Sequence, residues 1–197
     1  MFAGVNRASY ILEFKDKTDF PNKPQVIAEA RFLKAYYQFE LVKWFGGIPM
    51  KQDARFILGD EKTIPRSSVE EVYASIENDL ILAIADLNPA PAQKGRVTKG
   101  AAQALLGKVY LYDEKFDLAA QTLENLITVT GGYSLVQDYD SLFEEAQENG
   151  LESVFEVQYT DIEGAGFGCL QCSEGNVAVG FNGPRNLSLI HISEPTR

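Results

Sequence analysis

The sequence predicts a mainly α protein, built of helical hairpins and followed by an irregular C-terminal segment. Three observations carry that expectation: long breaker-free runs with apolar residues at helical spacing, N-capping residues where those runs begin, and Pro or Gly-Gly where they end.

The first predicted helix covers residues 25–45, VIAEARFLKAYYQFELVKWF, opening after Pro24 and stopping at Gly46-Gly47. Phe32, Ala35, Tyr36, Phe39, Leu41 and Val42 take up more than half its circumference, so it is expected to be buried between neighbours. Ile48-Pro49-Met50 and a polar connection lead to Arg66. The next helix, 68–87, is the best specified: Ser68 and Glu71 form an S-x-x-E capping box, and Glu70 and Glu71 sit at the positive end of the dipole. Its apolar set is Val69, Val72, Tyr73, Ile76, Leu80, Ala83, Ile84 and Leu87, and it ends before Asn88-Pro89. A loop through Arg96 precedes Thr98, an N-cap for a helix running to Tyr112. A turn at Asp113-Glu114-Lys115 gives the second arm of a hairpin, with Phe116, Ala119, Ala120, Leu123, Leu126 and Ile127 expected on its buried side and Gly131-Gly132 ending it.

In that hairpin Leu106-Gly107, Tyr110, Ala119 and Leu123 fall on the large and small positions of a tetratricopeptide repeat, a unit of about 34 residues. Small residues at 107 and 119 let the paired helices approach. Gln103 replaces the usual tryptophan and Gly131 stands near the usual proline, so the match is partial and a generic helical hairpin is the alternative. The 25–45 and 68–87 helices are candidates for a second, irregular unit with a long insertion between its arms, although their spacing does not itself establish a repeat. After Gly132 the expectation is a turn and short helix through Phe143, then a β-prone stretch 154–159, then an irregular glycine-rich loop segment over 160–186.

Composition excludes several functions. At 45% hydrophobic and 23% charged the chain is neither disordered nor collagen-like, and no apolar run approaches the ~20 residues of a membrane-spanning helix. The net charge of −10, with no compensating basic patch, argues against nucleic acid as a partner. The start of the chain lacks a secretory signal, so either the protein is cytoplasmic or an upstream segment is missing from this sequence. Residues 187–197, LSLIHISEPTR, read as the in-frame translation of a sequencing-library adapter and are set aside, and with them goes His191, the only histidine.

Candidate chemistry fails on inspection. Cys169 and Cys172 have C-x-x-C spacing, yet no second pair or other histidine completes a four-ligand zinc site, and no βαβ setting supports a redox motif. The pair is a local disulfide or two loop thiols. The glycine-rich run at 164–168 lacks the lysine and helix opening of a phosphate loop. Carboxylate clusters such as Glu144 and Glu145, Glu152 and Glu156, or Asp138 and Asp140 read as a solvated acidic face rather than a glycosidase pair. No catalytic residue, metal site or cofactor is expected.

Four successive blocks, EARFLKAYYQFELVKWFGGIPM, RSSVEEVYASIENDLILAIADLNP, GRVTKGAAQALLGKVYLYDEKFDLAAQTLENLI, and GYSLVQDYDSLF with ESVFEVQY, together resemble the SusD/RagB family, surface lipoproteins of Bacteroidetes that bind nutrients, mostly glycans. The likeness covers 2–159, so residues 1–159 are expected to be part of a SusD-like helical domain. The resemblance implies a tetratricopeptide-like scaffold at the outer membrane, held by a lipid anchor upstream of this stretch. It also implies an oligosaccharide or similar nutrient as ligand, a TonB-dependent transporter as partner, and no catalysis. Members are longer, so the chain reads as an internal stretch of such a protein. Their ligand contacts come largely from variable loops outside the helical blocks, so the isolated stretch is expected to bind poorly and no ligand-binding residue is carried over. Trp44, the only tryptophan, is expected in the core or its lid, and Tyr36, Tyr37, Tyr110 and Tyr112 take the same reading. A peptide-binding tetratricopeptide adaptor is the alternative function, and a carboxylate-based hydrolase rests on residue types alone.

Overall fold

The computed structural model describes residues 1–90 and 93–158. Five helices follow one another: α1 (Phe2–Glu13), α2 (Lys23–Phe45), α3 (Val69–Asp86), α4 (Lys99–Tyr112) and α5 (Phe116–Asn125). Among the described residues there is no β-strand, only an isolated antiparallel bridge between Pro49 and Arg66. The stretch 154–158, expected to be β-prone, forms no strand, since no strand among the described residues offers it a partner; Tyr159 lies outside the described residues. The helices and the segment after them form one compact unit, Met1–Glu156, and a second unit begins at Val157.

α3 and α4 begin at the caps their sequence predicts. Ser68 accepts from the Glu71 N–H at 3.2 Å while Glu71 accepts from the Ser68 N–H at 2.8 Å, so the capping box is reciprocal. Thr98 accepts from the Ala101 N–H at 3.0 Å. α2 starts two residues earlier than expected, with Pro24 in its first turn. After α5 the chain adds a π-helical turn, Leu126–Thr130, and leaves it through Gly131 and Gly132, both at positive φ.

Packing is sequential: α1 on α2, α2 on α3, α3 on α4, α4 on α5, with α2 and α3 sharing the most extensive interface. The core is one cluster in which Phe32, Ala35, Phe39 and Val42 of α2 meet Val72, Ile76, Leu80 and Ala83 of α3, and Ala102, Leu106 and Val109 of α4 continue it. α1 was not anticipated. Its buried residues Val5, Ala8, Ser9 and Leu12 repeat at helical spacing, which is the signal that would have found it.

The hairpin α4–α5 confirms the close-approach position and corrects the buried face. A Cβ placed on Gly107 would lie 2.6 Å from Leu123 Cδ2 and 2.7 Å from its Cγ, too near for any side chain unless Leu123 moves. Of the six residues expected on the buried side of the second arm, only Ala119 and Leu126 are buried, whereas Phe116 and Ile127 are more than half exposed. Among the described residues α4 is the one helix that packs along α5, so the outer half of its apolar stripe is left exposed. Gly107→Leu is expected to overpack this contact at a cost of about 1–3 kcal/mol, since leucine's better helix propensity returns at most about 1 kcal/mol. A thermal melt in which the leucine variant equals the parent would show that Leu123 swings out freely.

Candidate functional site

Two places in the fold combine exposure or volume with unusual chemistry. The first is a cavity of about 500 Å³ between α2, α3 and the loop that joins them, lined among others by Arg31, Lys34, Lys51, Asp53, Glu71 and Asp79. Arg31 and Lys34 lie one turn apart on α2 and face the core instead of solvent; Lys34 is 1% exposed. They are neutralised by Asp79 from α3, 2% exposed, which receives Arg31 Nη1 at 2.7 Å and lies 2.9 Å from Lys34 Nζ. Asp53 from the loop takes Arg31 Nη1 and Nη2 at 3.3 and 3.2 Å and Lys15 Nζ at 3.2 Å, and Lys34 also donates to the Gln52 carbonyl. The network therefore ties the end of α1, the middle of α2, the loop and α3 together.

Burial alone would push the Asp53 carboxyl up, but the hydrogen bonds from Arg31 and Lys15 and the charges of Arg31 and Lys34 outweigh it and hold it below the usual value. Burial works against the Arg31 charge as well, and the two carboxylates raise it above its ordinary value. A glycosidase acid needs a raised carboxyl pKa. Asp53 is shifted the wrong way, and Asp79 is engaged by two cations. With three cations facing three carboxylates on its wall, the cavity has no net charge and suits a neutral, hydroxyl-rich molecule better than an ion.

The second place is an aromatic corner. Trp44 is 73% exposed and Phe45 61% exposed, so the expectation that Trp44 belongs to the core or its lid is corrected. The physical reason is register: Phe39 and Val42 take the inward positions of the last two turns of α2, which leaves Trp44 on the solvent side. The tyrosines divide. Tyr110 is buried and Tyr37 packs against the core, while Tyr36 and Tyr112 are partly exposed, the latter edge-on to Phe39 at 5.3 Å between ring centroids.

The corner's backbone is latched. Gly46 has φ +66°, and a Cβ on Gly47 would fall 2.1 Å from the Ser67 carbonyl oxygen. The Ser67 N–H donates to Ile48 O at 2.9 Å, and Arg66 donates to the carbonyls of Phe45 and Gly47. None of these residues was singled out as a site from sequence. Arg31, Lys34 and Asp79 were nonetheless visible as charges inside apolar stripes, Asp79 lying between Ile76 and Leu80. Cys169, Cys172, the glycine-rich segment 160–186 and the residues 187–197 lie outside the described residues.

Comparison with known proteins places the scaffold. A SusD-like family model, described as starch-binding associating with outer membrane, matches residues 1–111. A SusD-like protein of Bacteroides ovatus is 30% identical over 151 residues, covering 71% of this chain and 27% of its own length. Among solved structures, a laminarin-binding SusD-like protein superposes with a TM-score of 0.76 at 32% identity over 85% of this chain and 38% of its own. A structure solved with a xylogluco-oligosaccharide superposes at 0.66, 26% identical, covering 81% of this chain and 34% of its own. The chain thus spans roughly a quarter to two-fifths of the proteins it resembles. A family model that matches more than half of its length shows that this chain belongs to the SusD-like (SusD/RagB) family.

Proposed function

We propose that the protein binds oligosaccharides or similar nutrients at the outer cell surface, without cleaving them, and hands them to a TonB-dependent outer-membrane transporter. The observation that carries this reading is the superposition on a laminarin-binding relative at 32% identity over most of the chain. The chemistry of the two places described above agrees with it. The uncharged balance of the α2–α3 cavity and the exposed rings of the Trp44 corner suit sugars, which offer hydroxyls to polar walls and apolar ring faces to aromatics. The depressed Asp53 is unsuited to acid catalysis. In this reading residues 1–159 contribute the helical scaffold, a lipid anchor outside this stretch supplies attachment, and 160–186 contributes loop, with 187–197 foreign to the natural protein.

Calorimetry of the full-length protein against a panel of neutral and acidic glycans, with product analysis after long incubation, tests the proposal. Saturable binding with the glycan recovered intact is expected. Cleavage would replace the binding protein with a hydrolase, and binding to peptides alone would favour a tetratricopeptide adaptor.

A further inference from the structure

We infer that the Trp44–Phe45 corner at the end of α2 is a sugar-stacking site, with the Trp44 indole as the platform for one pyranose ring and Arg66, bound to the Phe45 and Gly47 carbonyls, as a hydroxyl donor at the same corner. The inference rests on the glycan-binding reading above and gives it a location. Trp44 is the chain's only tryptophan, and its ring makes no aromatic or cation–π contact among the described residues. Its neighbours on α2 spend their chemistry inward or on each other: Lys43 lies 4.7 Å over the Phe39 ring and pairs with Glu40 at 2.6 Å. The indole face and its N–H are left to the outside.

The corner is also held rigid. Gly46 turns the chain in a conformation other residues disfavour, Gly47 sits against the Ser67 carbonyl, and Arg66 grips the carbonyls on both sides of Gly46. The latch fixes the backbone that carries Trp44, so the indole is presented at a constant place at the end of α2. Arg66 uses Nε and Nη2 for those carbonyls and pairs with no carboxylate among the described residues. Its Nη1 therefore remains a donor at the same corner.

Size decides between a sugar and a protein as occupant. Two aromatic side chains of about 150–250 Å² each, with the partly exposed Val69 beside Gly46, fall short of the roughly 800 Å² per partner that a stable protein interface buries. One sugar ring needs one aromatic face and a few donors. A single face gives weak association, consistent with the expectation that ligand contacts elsewhere in the longer relatives supply most of the affinity.

Because Trp44 is the only tryptophan, its emission reports this site alone. The chain is titrated with gluco-oligosaccharides of different linkage and with uronate oligosaccharides, following Trp44 emission, acrylamide quenching and heat in parallel. The expected result is a blue shift and protection from quenching that saturate together with the heat. Trp44→Ala is expected to weaken binding about tenfold, with Trp44→Tyr recovering most of it and both variants melting like the parent. Heat of binding with unchanged emission and quenching would overturn this site while leaving the glycan reading intact. No heat and no change in emission with any sugar would overturn this site, while the glycan reading is decided by the calorimetry of the full-length protein. A blue shift that grows with protein concentration in the absence of sugar would assign the corner to a second copy of the chain and overturn the proposal.

Discussion

Asp79→Ala is expected to lower stability by about 3–5 kcal/mol, because it leaves the buried Lys34 and the partly buried Arg31 without the anion between them. Arg31 retains Asp53, but Lys34, 1% exposed, keeps only the Gln52 carbonyl and Asp53 Oδ1 at 3.9 Å. The cost arises from desolvation left uncompensated, not from the attraction that was lost, so it exceeds what an exposed pair such as Lys23–Asp19 contributes. At 2–4 °C per kcal/mol for a chain of this size, Tm is expected to fall by roughly 6–20 °C. The companion variant Lys34→Met with Asp79→Leu removes both charges and replaces them with apolar volume. It is expected to be less destabilised than Asp79→Ala alone, because no uncompensated lysine remains. Urea denaturation of both variants checks the pair, and an Asp79→Ala loss below about 1 kcal/mol would mean that water reaches Lys34 and solvates it.

The network also explains the loop. Between α2 and α3 lie more than twenty residues with almost no regular structure, yet they are fastened at several points. Asp53 joins the buried charges. Asn6 of α1 exchanges hydrogen bonds with the Phe56 backbone at 2.6 and 3.3 Å, and Lys51 pairs with Asp60 at 2.6 Å. Side-chain groups here stand in for the ladder a sheet would have supplied, which keeps a long connection ordered over the end of the helical stack.

Local signals made the fold legible where they were strong. The Ser68–Glu71 box, the Thr98 cap, the Gly131-Gly132 stop and the Gly107–Leu123 contact each correspond to a backbone or packing requirement that only a few residue types meet, and each stands where the sequence put it. What failed was the inference from apolar spacing to burial. Phe116 and Ile127 carry the right periodicity but α5 lacks a second helix along it among the described residues, and Trp44 sits in an apolar run but on its outward side. A stripe says which side of a helix prefers company; it does not say that company is present. α1 was overlooked for the converse reason, since its stripe of Val5, Ala8 and Leu12 is short and made partly of small residues. The buried charges were written in the sequence as violations of an apolar pattern. Their meaning needed the third dimension, because Lys34 and Asp79 lie 45 residues apart and compensate each other only after α2 and α3 pack.

Phe39→Ala is expected to cost about 3–5 kcal/mol, comparable to the loss of Asp79 but by a different route. Phe39 is 1% exposed on α2, and its ring meets Tyr73 of α3 and Tyr112 of α4 edge-on, at centroid distances of 6.4 and 5.3 Å, with Lys43 over its face. It is therefore a single side chain through which three consecutive helices touch. Truncation removes the buried ring's transfer free energy and leaves a cavity that α2 cannot close, because Leu41 and Val42 already hold that turn in place. The edge-to-face pairs with Tyr73 and Tyr112 are lost as well, each worth about 0.5–1.5 kcal/mol. Phe39→Leu retains most of the volume without those geometries and is expected to fall between the parent and the alanine variant. Because the ring joins successive helices, the alanine variant is expected to unfold at lower urea in one transition, with tyrosine near-ultraviolet and helical far-ultraviolet signals coincident. Two separated transitions would show that α4–α5 folds independently of α2, and an unchanged midpoint would show that Phe39 is not the joint these distances describe.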